Sequence, residues 1–175
     1  MKTKKLVLLS LFTALCFIGT WIHIPVPTVG TNAMIHLGTT VIFIIAILIG
    51  KNAAIPAGLG CALFDLFSPG YALWVIPTLI TKGLMGYAVG KIAFANGKKG
   101  KNPIYNIIGF VIGGIVSLTG YFIFNWIFFK GWEGAVSSLI TSFGTTIIGL
   151  LIAIPLSMGV KAATNRFIED VFISE

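Results

Sequence analysis

Charged residues are scarce in this sequence. Only 10% of the 175 residues are charged, and only five are Asp or Glu. A soluble domain of this size carries many more charged side chains on its surface, so the scarcity excludes an ordinary soluble protein. Apolar residues make up 57% of the chain, and the mean hydropathy is +1.00. The composition therefore predicts an integral membrane protein whose surroundings are the lipid bilayer.

Side chains that bind metals or act as nucleophiles are also few. The chain has two histidines and two cysteines, and none is spaced as in a metal site. Cys16 and Cys61 fall in apolar segments, where a thiol is typically a small buried side chain. No acid and base are paired for catalysis. We therefore predict no enzyme, no metal ion and no cofactor.

Basic residues outnumber acidic ones, with 12 Lys and Arg against five Asp and Glu. In a soluble protein this excess would suggest a nucleic-acid partner, but in a membrane protein it reports on topology. The loop "GKKGKN" at residues 97–102 lacks the spacing of a phosphate-binding loop, and no strand is predicted before it. We interpret it as a basic loop facing anionic lipid, and we expect no nucleic-acid partner.

Long apolar runs alternate with breaks rich in Gly, Pro, Asn or charge. A span needs about 20 apolar residues, so the chain has room for about six spans and no separate soluble domain. The first run has a basic start like a signal peptide, but its length favours a retained helix. Residues 1–175 are predicted to form one all-α bundle of six transmembrane helices, at residues 5–24, 32–49, 53–67, 71–94, 104–129 and 135–161.

The distribution of Lys and Arg predicts the orientation of these spans. Lys130 falls on one side of the membrane and Lys82 inside a span. The other side receives ten basic residues: Lys2, Lys4, Lys5, Lys51, Lys91, Lys98, Lys99, Lys101, Lys161 and Arg166. Because basic loops stay in the cytoplasm, we expect both termini there.

Lys82 interrupts the apolar run of the fourth predicted helix. It lies 11 residues after Tyr71, about 16 Å along a helix and near the bilayer midplane. A lysine there costs roughly 2.5 to 3.5 kcal/mol, so its ammonium group must face the protein interior or a wet cavity. Two interpretations stay open, namely contact with a ligand and an internal ion pair with Asp65.

Polar side chains follow the outer halves of the last three predicted helices at helical spacing. These stripes are Trp74, Thr78 and Lys82, then Ser117, Tyr121 and Asn125, then Ser138, Thr141, Ser142 and Thr145. Polar groups in hydrocarbon need partners, and all three stripes lie at one depth. We therefore predict that they surround a pocket open to the exterior. For any single Ser or Thr, helix packing is the alternative.

Three more assignments complete the predicted pocket. Asp65, the only carboxylate in a predicted span, is either a helix-end acceptor or a ligand contact. His36, predicted to begin helix two, is either bonded to the preceding loop or a ligand contact. Trp74 lies on the lysine face and suits stacking on a flat ring. Lysine, aromatic ring and hydroxyls together favour a small, polar, ring-containing solute.

The stretch from Ile35 to Ile92 resembles the substrate-binding S components of energy-coupling factor (ECF) vitamin transporters, in the riboflavin-type group. The resemblance is carried by His36-Leu37-Gly38, Gly50, Gly58, Gly60, Asp65-Leu66, Thr78 and Lys82-Gly83. It implies a multi-pass subunit of a prokaryotic plasma membrane. Such subunits capture one vitamin from outside and deliver it with a shared membrane subunit and two ATP-binding subunits.

The resemblance also implies a docking position in helix one. S components use an Ala-x-x-x-Ala pair to contact the shared membrane subunit, and the matching residues here are Ser10 and Ala14. Serine is small enough for close helix approach. The alternative role of this pair is packing within the bundle itself.

The predicted function is thus a vitamin-binding transport subunit, and the solute is left open among riboflavin, pyridoxine, hydroxymethylpyrimidine and pantothenate. Trp74 favours the flat-ring compounds. The alternative is a self-sufficient secondary transporter or channel for a small polar solute. That class needs ion-coupling groups through the full membrane depth, and only Lys82 and Asp65 are available.

Overall fold

A computed structural model describes residues 2–27 and 32–172, except for the side chains of residues 2, 27, 32–33 and 164–170. The described chain contains six α-helices and one β-hairpin. They are α1 (Lys2–Trp21), β1 (His23–Pro27), β2 (Asn32–His36), α2 (Gly38–Ile49), α3 (Ala54–Phe67), α4 (Val75–Ala93), α5 (Pro103–Phe124) and α6 (Gly131–Phe172). Short 3-10 turns precede α3 and α4, and a π-helix at Asn125–Lys130 joins α5 to α6.

The centre of the bundle is α2, in which ten residues are buried. This helix is apolar all round, as expected of a helix surrounded by others. It contacts α1, α4 and α6, while α3 bridges α1 and α4, and α5 bridges α4 and α6. The Phe43 ring of α2 stacks on Phe110 of α5 with ring centroids 4.7 Å apart. Large apolar side chains on the outer helix faces are exposed, as lipid-facing residues would be.

The fold is mostly helical, as predicted, but it also contains a hairpin that the all-α prediction did not include. Strands β1 and β2 pair antiparallel, with His23 opposite His36 and Pro25 opposite Met34. Helix α1 therefore ends at Trp21 rather than at residue 24, and α2 begins at Gly38 rather than at residue 32. The prediction that His36 begins helix two is wrong, since it is the last residue of β2. Prolines at alternate positions of β1 are compatible with an edge strand, because a proline has no N–H to donate.

The helix count agrees with the prediction only in part. Four helical segments of the described chain are long and apolar enough to cross a membrane, at residues 3–21, 38–67, 72–93 and 103–163. The second contains α2 and α3, and the fourth contains α5 and α6. The fourth segment is not straight, because Gly131 has a φ of 64° and Gly114 of α5 lies against Thr146 of α6. The sixth helix also runs well beyond residue 161, to Phe172.

Close packing of α4 depends on glycine. A Cβ atom at Gly86 would lie 2.8 Å from the Ala53 carbonyl oxygen and 2.9 Å from Ala57 Cβ. Neither neighbour can rotate away, since one is backbone and the other is a Cβ atom. The α4 backbone can therefore approach α3 this closely only without a side chain at position 86.

We expect Gly86→Ala to lower the free energy of unfolding by about 1–3 kcal/mol, because the two helices must separate to admit the methyl group. Thermal unfolding in detergent micelles would measure the loss. Gly159→Ala is the matched control, since nothing lies within 4 Å of a Cβ there. Equal stability of the two variants would contradict this account of α3–α4 packing.

Candidate functional site

A cavity lies at the end of the bundle that carries the hairpin. The cavity and its open mouth together contain about 690 Å³ of space not occupied by atoms. Residues from β2 and from every helix except α2 line it, and α2 supports it through a hydrogen bond from Lys82 to Thr39. The lining residues are Thr20, Met34, His36, Cys61, Asp65, Tyr71, Trp74, Thr78, Lys82, Ser117, Tyr121, Asn125, Lys130, Ser138, Thr141, Ser142 and Thr145.

All nine residues predicted to bind substrate line this one cavity. They are His36, Asp65, Trp74, Thr78, Lys82, Tyr121, Asn125, Thr141 and Ser142. The three polar stripes therefore meet, as their shared depth predicted. The role of each residue in binding stays a prediction.

Lys82 forms the polar floor of the cavity. Its side chain is only 2% exposed, and its Nζ donates to Thr39 Oγ1 at 3.1 Å and to Ser117 Oγ at 3.2 Å. The ammonium group also lies 5.3 Å from the centre of the Tyr121 ring, within range of a cation–π interaction. The lysine of α4 is thus held by α2 and α5 through neutral groups, which stabilise its positive charge without cancelling it.

The expected alternative for Lys82, an ion pair with Asp65, is not present among the described side chains. Asp65 is buried on α3 and lies next to Thr78. Thr78 Oγ1 in turn shares a hydrogen bond of 3.0 Å with the Tyr121 hydroxyl. The carboxylate is therefore connected to α4 through the Thr78 hydroxyl, and through it to the Tyr121 hydroxyl of α5.

Two aromatic residues form a wall on the side of α4 and α5. The Trp74 ring centre lies 6.0 Å from that of Tyr121 and 4.7 Å from that of Phe129, both in tilted arrangements. Trp74 is nearly buried but lines the cavity. Its indole is therefore fixed by neighbouring rings and presents a rigid apolar surface to the interior.

Asn125 has a buried hydrogen-bond acceptor without a partner. Its Nδ2 donates to the Tyr121 carbonyl at 2.9 Å, but no donor in the described chain reaches Oδ1. The residue is 2% exposed and begins the π-helix, an arrangement often found at functional sites. A buried acceptor left in this state costs free energy, so it marks a place for a donor from outside the chain.

The hairpin and α6 complete the rim. Thr145 Oγ1 donates to the Met34 carbonyl of β2 at 3.2 Å, and Ser138 accepts from Lys130 Nζ at 3.1 Å. Burial, with the Lys82 charge adding to it, lowers the pKa of His36 well below its ordinary value. The imidazole is therefore neutral, and its Nδ1 accepts the Gly38 N–H at 3.1 Å. His36 thus lines the cavity and accepts from the start of α2, and its contact with a ligand stays a prediction.

Several cavity residues were not in the predicted binding set. Ser117, Ser138 and Thr145 belong to the predicted stripes, and helical spacing alone could have added them. Met34 was missed because the hairpin was predicted to be helix. Thr20 and Cys61 are isolated in apolar segments, and their hydrogen bond, 3.3 Å from Oγ1 to Sγ, pairs residues 41 apart in the chain.

We expect Lys82→Met to leave the free energy of unfolding of the ligand-free protein unchanged within about 1 kcal/mol. The cost of burying an ammonium group, roughly 2.5–3.5 kcal/mol, offsets its two hydrogen bonds to hydroxyls. Chemical unfolding in detergent micelles would measure this. A loss of about 3–5 kcal/mol would instead indicate a buried ion pair.

Comparison with known proteins agrees with the resemblance found in the sequence. A family model described as "ECF-type riboflavin transporter, S component" matches residues 1–162. A protein from Pyrococcus woesei, described as "Uncharacterized protein in gap 3'region", is 29% identical over 149 residues. That match covers 85% of this chain and 95% of the relative. The chain therefore belongs to the S components of ECF-type riboflavin transporters, a family of membrane transport subunits and not of enzymes.

Proposed function

We propose that this chain is the substrate-binding subunit of an ECF importer and that the cavity at its hairpin end binds a water-soluble vitamin or vitamin precursor with a flat heterocycle. Riboflavin is the first candidate, and pyridoxine and hydroxymethylpyrimidine are smaller ones. The observation that carries the proposal is the convergence of Lys82, Trp74 and Asn125 on one cavity, together with the unpartnered Oδ1 of that asparagine. A positive charge, a flat aromatic surface and a hydrogen-bond acceptor together suit a polar ring compound.

Each of these groups has a distinct part in the proposal. The Lys82 ammonium would donate to a carbonyl or anionic group of the solute, since its present partners are neutral hydroxyls that it can share. Asn125 Oδ1 would accept from a ring N–H or a hydroxyl. Trp74 would stack on the ring, and Asp65 and Thr78 would accept solute hydroxyls.

The proposed topology has six membrane crossings with both termini in the cytoplasm. The reversal of the chain between α5 and α6 supports this topology. The concentration of Lys and Arg on one predicted side of the membrane supports it as well. One of those basic residues, Arg166, has its side chain outside the described residues. In this orientation the hairpin end faces the exterior of a prokaryotic cell. The cavity would then admit solute from outside, as an importer requires.

The proposed partners are a shared ECF membrane subunit and two ATP-binding subunits. Ser10 and Ala14 are exposed on the outer face of α1, which does not favour their use in packing within the bundle. Neighbouring Leu6, Leu11 and Leu15 are exposed as well. A face with two small residues flanked by leucines allows another helix to approach closely in the membrane.

For solute binding, we expect Lys82→Met to weaken the affinity for riboflavin about tenfold or more, since a hydrogen bond to a charged group is lost. Trp74→Ala should weaken it about three- to tenfold through lost stacking. Quenching of flavin fluorescence by the purified chain in detergent would give both dissociation constants.

The controls for binding are Lys51→Met and Trp132→Ala, which change exposed residues away from the cavity and should bind as the unmodified chain does. Pyridoxine and hydroxymethylpyrimidine would be titrated by calorimetry in parallel. The cavity would be ruled out as the binding site if both cavity variants bound the solute with the same dissociation constant as the unmodified chain, whichever of these solutes the chain binds.

For docking, we expect Ser10→Leu and Ala14→Leu to retain riboflavin binding but to abolish uptake in cells that supply the other ECF subunits. The added side chains would block close helix approach. Thr119→Leu, an exposed position on α5, is the control and should transport normally. Normal uptake by both α1 variants would exclude this face as the docking surface.

A further inference from the structure

Asp65 of α3 and Lys82 of α4 are joined by a series of side-chain contacts. Asp65 is hydrogen-bonded to Thr78, whose Oγ1 lies 3.0 Å from the Tyr121 hydroxyl oxygen. The Tyr121 ring in turn faces Lys82, with 5.3 Å between its centre and Nζ. All four residues line the cavity, and both charged residues are only 2% exposed. The carboxylate and the ammonium group are therefore linked through a hydroxyl and a phenol ring.

The chemistry of these groups fixes the direction of the hydrogen bonds. In its ionised form the Asp65 carboxylate can only accept, and the Thr78 hydroxyl has a single proton to donate. Thr78 therefore donates to Asp65, which leaves Thr78 Oγ1 to accept from the Tyr121 hydroxyl. The phenol proton of Tyr121 is thus directed towards α4. This order of donors holds only while a carboxylate stands at its end.

The position of the Tyr121 ring depends on where its hydroxyl is held. The ring lies between Lys82 and the Trp74 ring, whose centre is 6.0 Å away. An ammonium group is attracted to the face of an aromatic ring and not to its edge. A hydroxyl anchored at Thr78 therefore limits the tilt of the ring and keeps its contact with Lys82 Nζ.

We propose that Asp65 is a positioning residue for solute binding, which acts through Thr78 and Tyr121 to hold the aromatic ring on Lys82 and to stabilise its ammonium group. The inference rests on the proposed function of the cavity. It goes beyond that function, because it gives Asp65 an effect on the part of the solute bound at Lys82. A carboxylate can accept several hydrogen bonds, so Asp65 can bind a solute hydroxyl as well.

The first test measures melting temperatures of the full chain without solute, in detergent micelles. We expect Asp65→Asn to lower the melting temperature by about 2–4 °C, since a hydrogen bond to a charged group is weakened. Thr78→Val should do the same, and combining the two should cause no further loss because both break one series. Thr78→Ser keeps the hydroxyl and should melt as the unmodified chain does. Additive losses from Asp65→Asn and Thr78→Val would overturn the proposal.

Thr146→Val is the matched control. Thr146 is a buried threonine outside the cavity, and it donates to the Ser142 carbonyl at 2.9 Å. Any loss of stability in this variant should add to that of Asp65→Asn, since the two residues share no partner. Its solute binding should equal that of the unmodified chain.

The second test measures binding of lumiflavin, which has the ring carbonyls of riboflavin but no hydroxyl group, by flavin fluorescence. Asp65→Asn should weaken its binding about three- to tenfold, and the same substitution should have no further effect in Lys82→Met. Unchanged lumiflavin binding by Asp65→Asn would limit Asp65 to direct contact with solute hydroxyls and would overturn the proposal. If neither flavin bound the unmodified chain, the proposed function would fail instead, and the melting temperatures would still decide whether Asp65 acts through Thr78.

Discussion

The structure depends on how one ammonium group is solvated inside an apolar bundle. Lys82 cannot reach water through lipid, and the protein supplies hydroxyls from Thr39 and Ser117 and the face of Tyr121 instead. A carboxylate partner at hydrogen-bond distance would have neutralised the charge. Neutral partners keep the charge in place and leave it able to attract a further group. The lysine therefore ties α2, α4 and α5 together and gives the cavity a positive floor.

This arrangement constrains the surrounding helices. Hydroxyls that serve Lys82 must face inward, so α2 occupies the centre and presents Thr39 there, while apolar side chains cover the outside. The helices must also approach closely enough for 3 Å hydrogen bonds between them. Glycines such as Gly86, and Gly120 beside Thr81, allow that approach. Packing and polar solvation are thus satisfied by the same choice of small residues at helix contacts.

The sequence was sufficient for the parts of this site that follow a helical period. Trp74, Thr78 and Lys82 recur at four-residue steps, and depth in the membrane predicted that their stripe would meet those of α5 and α6. It was insufficient for Thr39, which stands beside Thr40 at the start of an otherwise apolar helix and acquires its role only through packing. The hairpin was missed because a strand of five residues containing two prolines has too weak a pattern to compete with flanking helices. The joined helices at residues 103–163 were separated correctly at the turn but given the wrong ends, since a π-helix has no sequence signal of its own.

A second cavity, whose lining includes Asn106 and Lys161, lies at the other end of α5 and resembles the first in its polar groups. Each combines a buried lysine with an asparagine whose Oδ1 has no donor in the described chain, Asn125 at one end and Asn106 at the other. These asparagines are 19 residues apart, about 28 Å along a helix, close to the thickness of the hydrocarbon core. Since α2 supplies the Thr39 hydroxyl to Lys82 and the Ile47 carbonyl to Lys161, the central helix stabilises a buried ammonium group towards each end of the bundle.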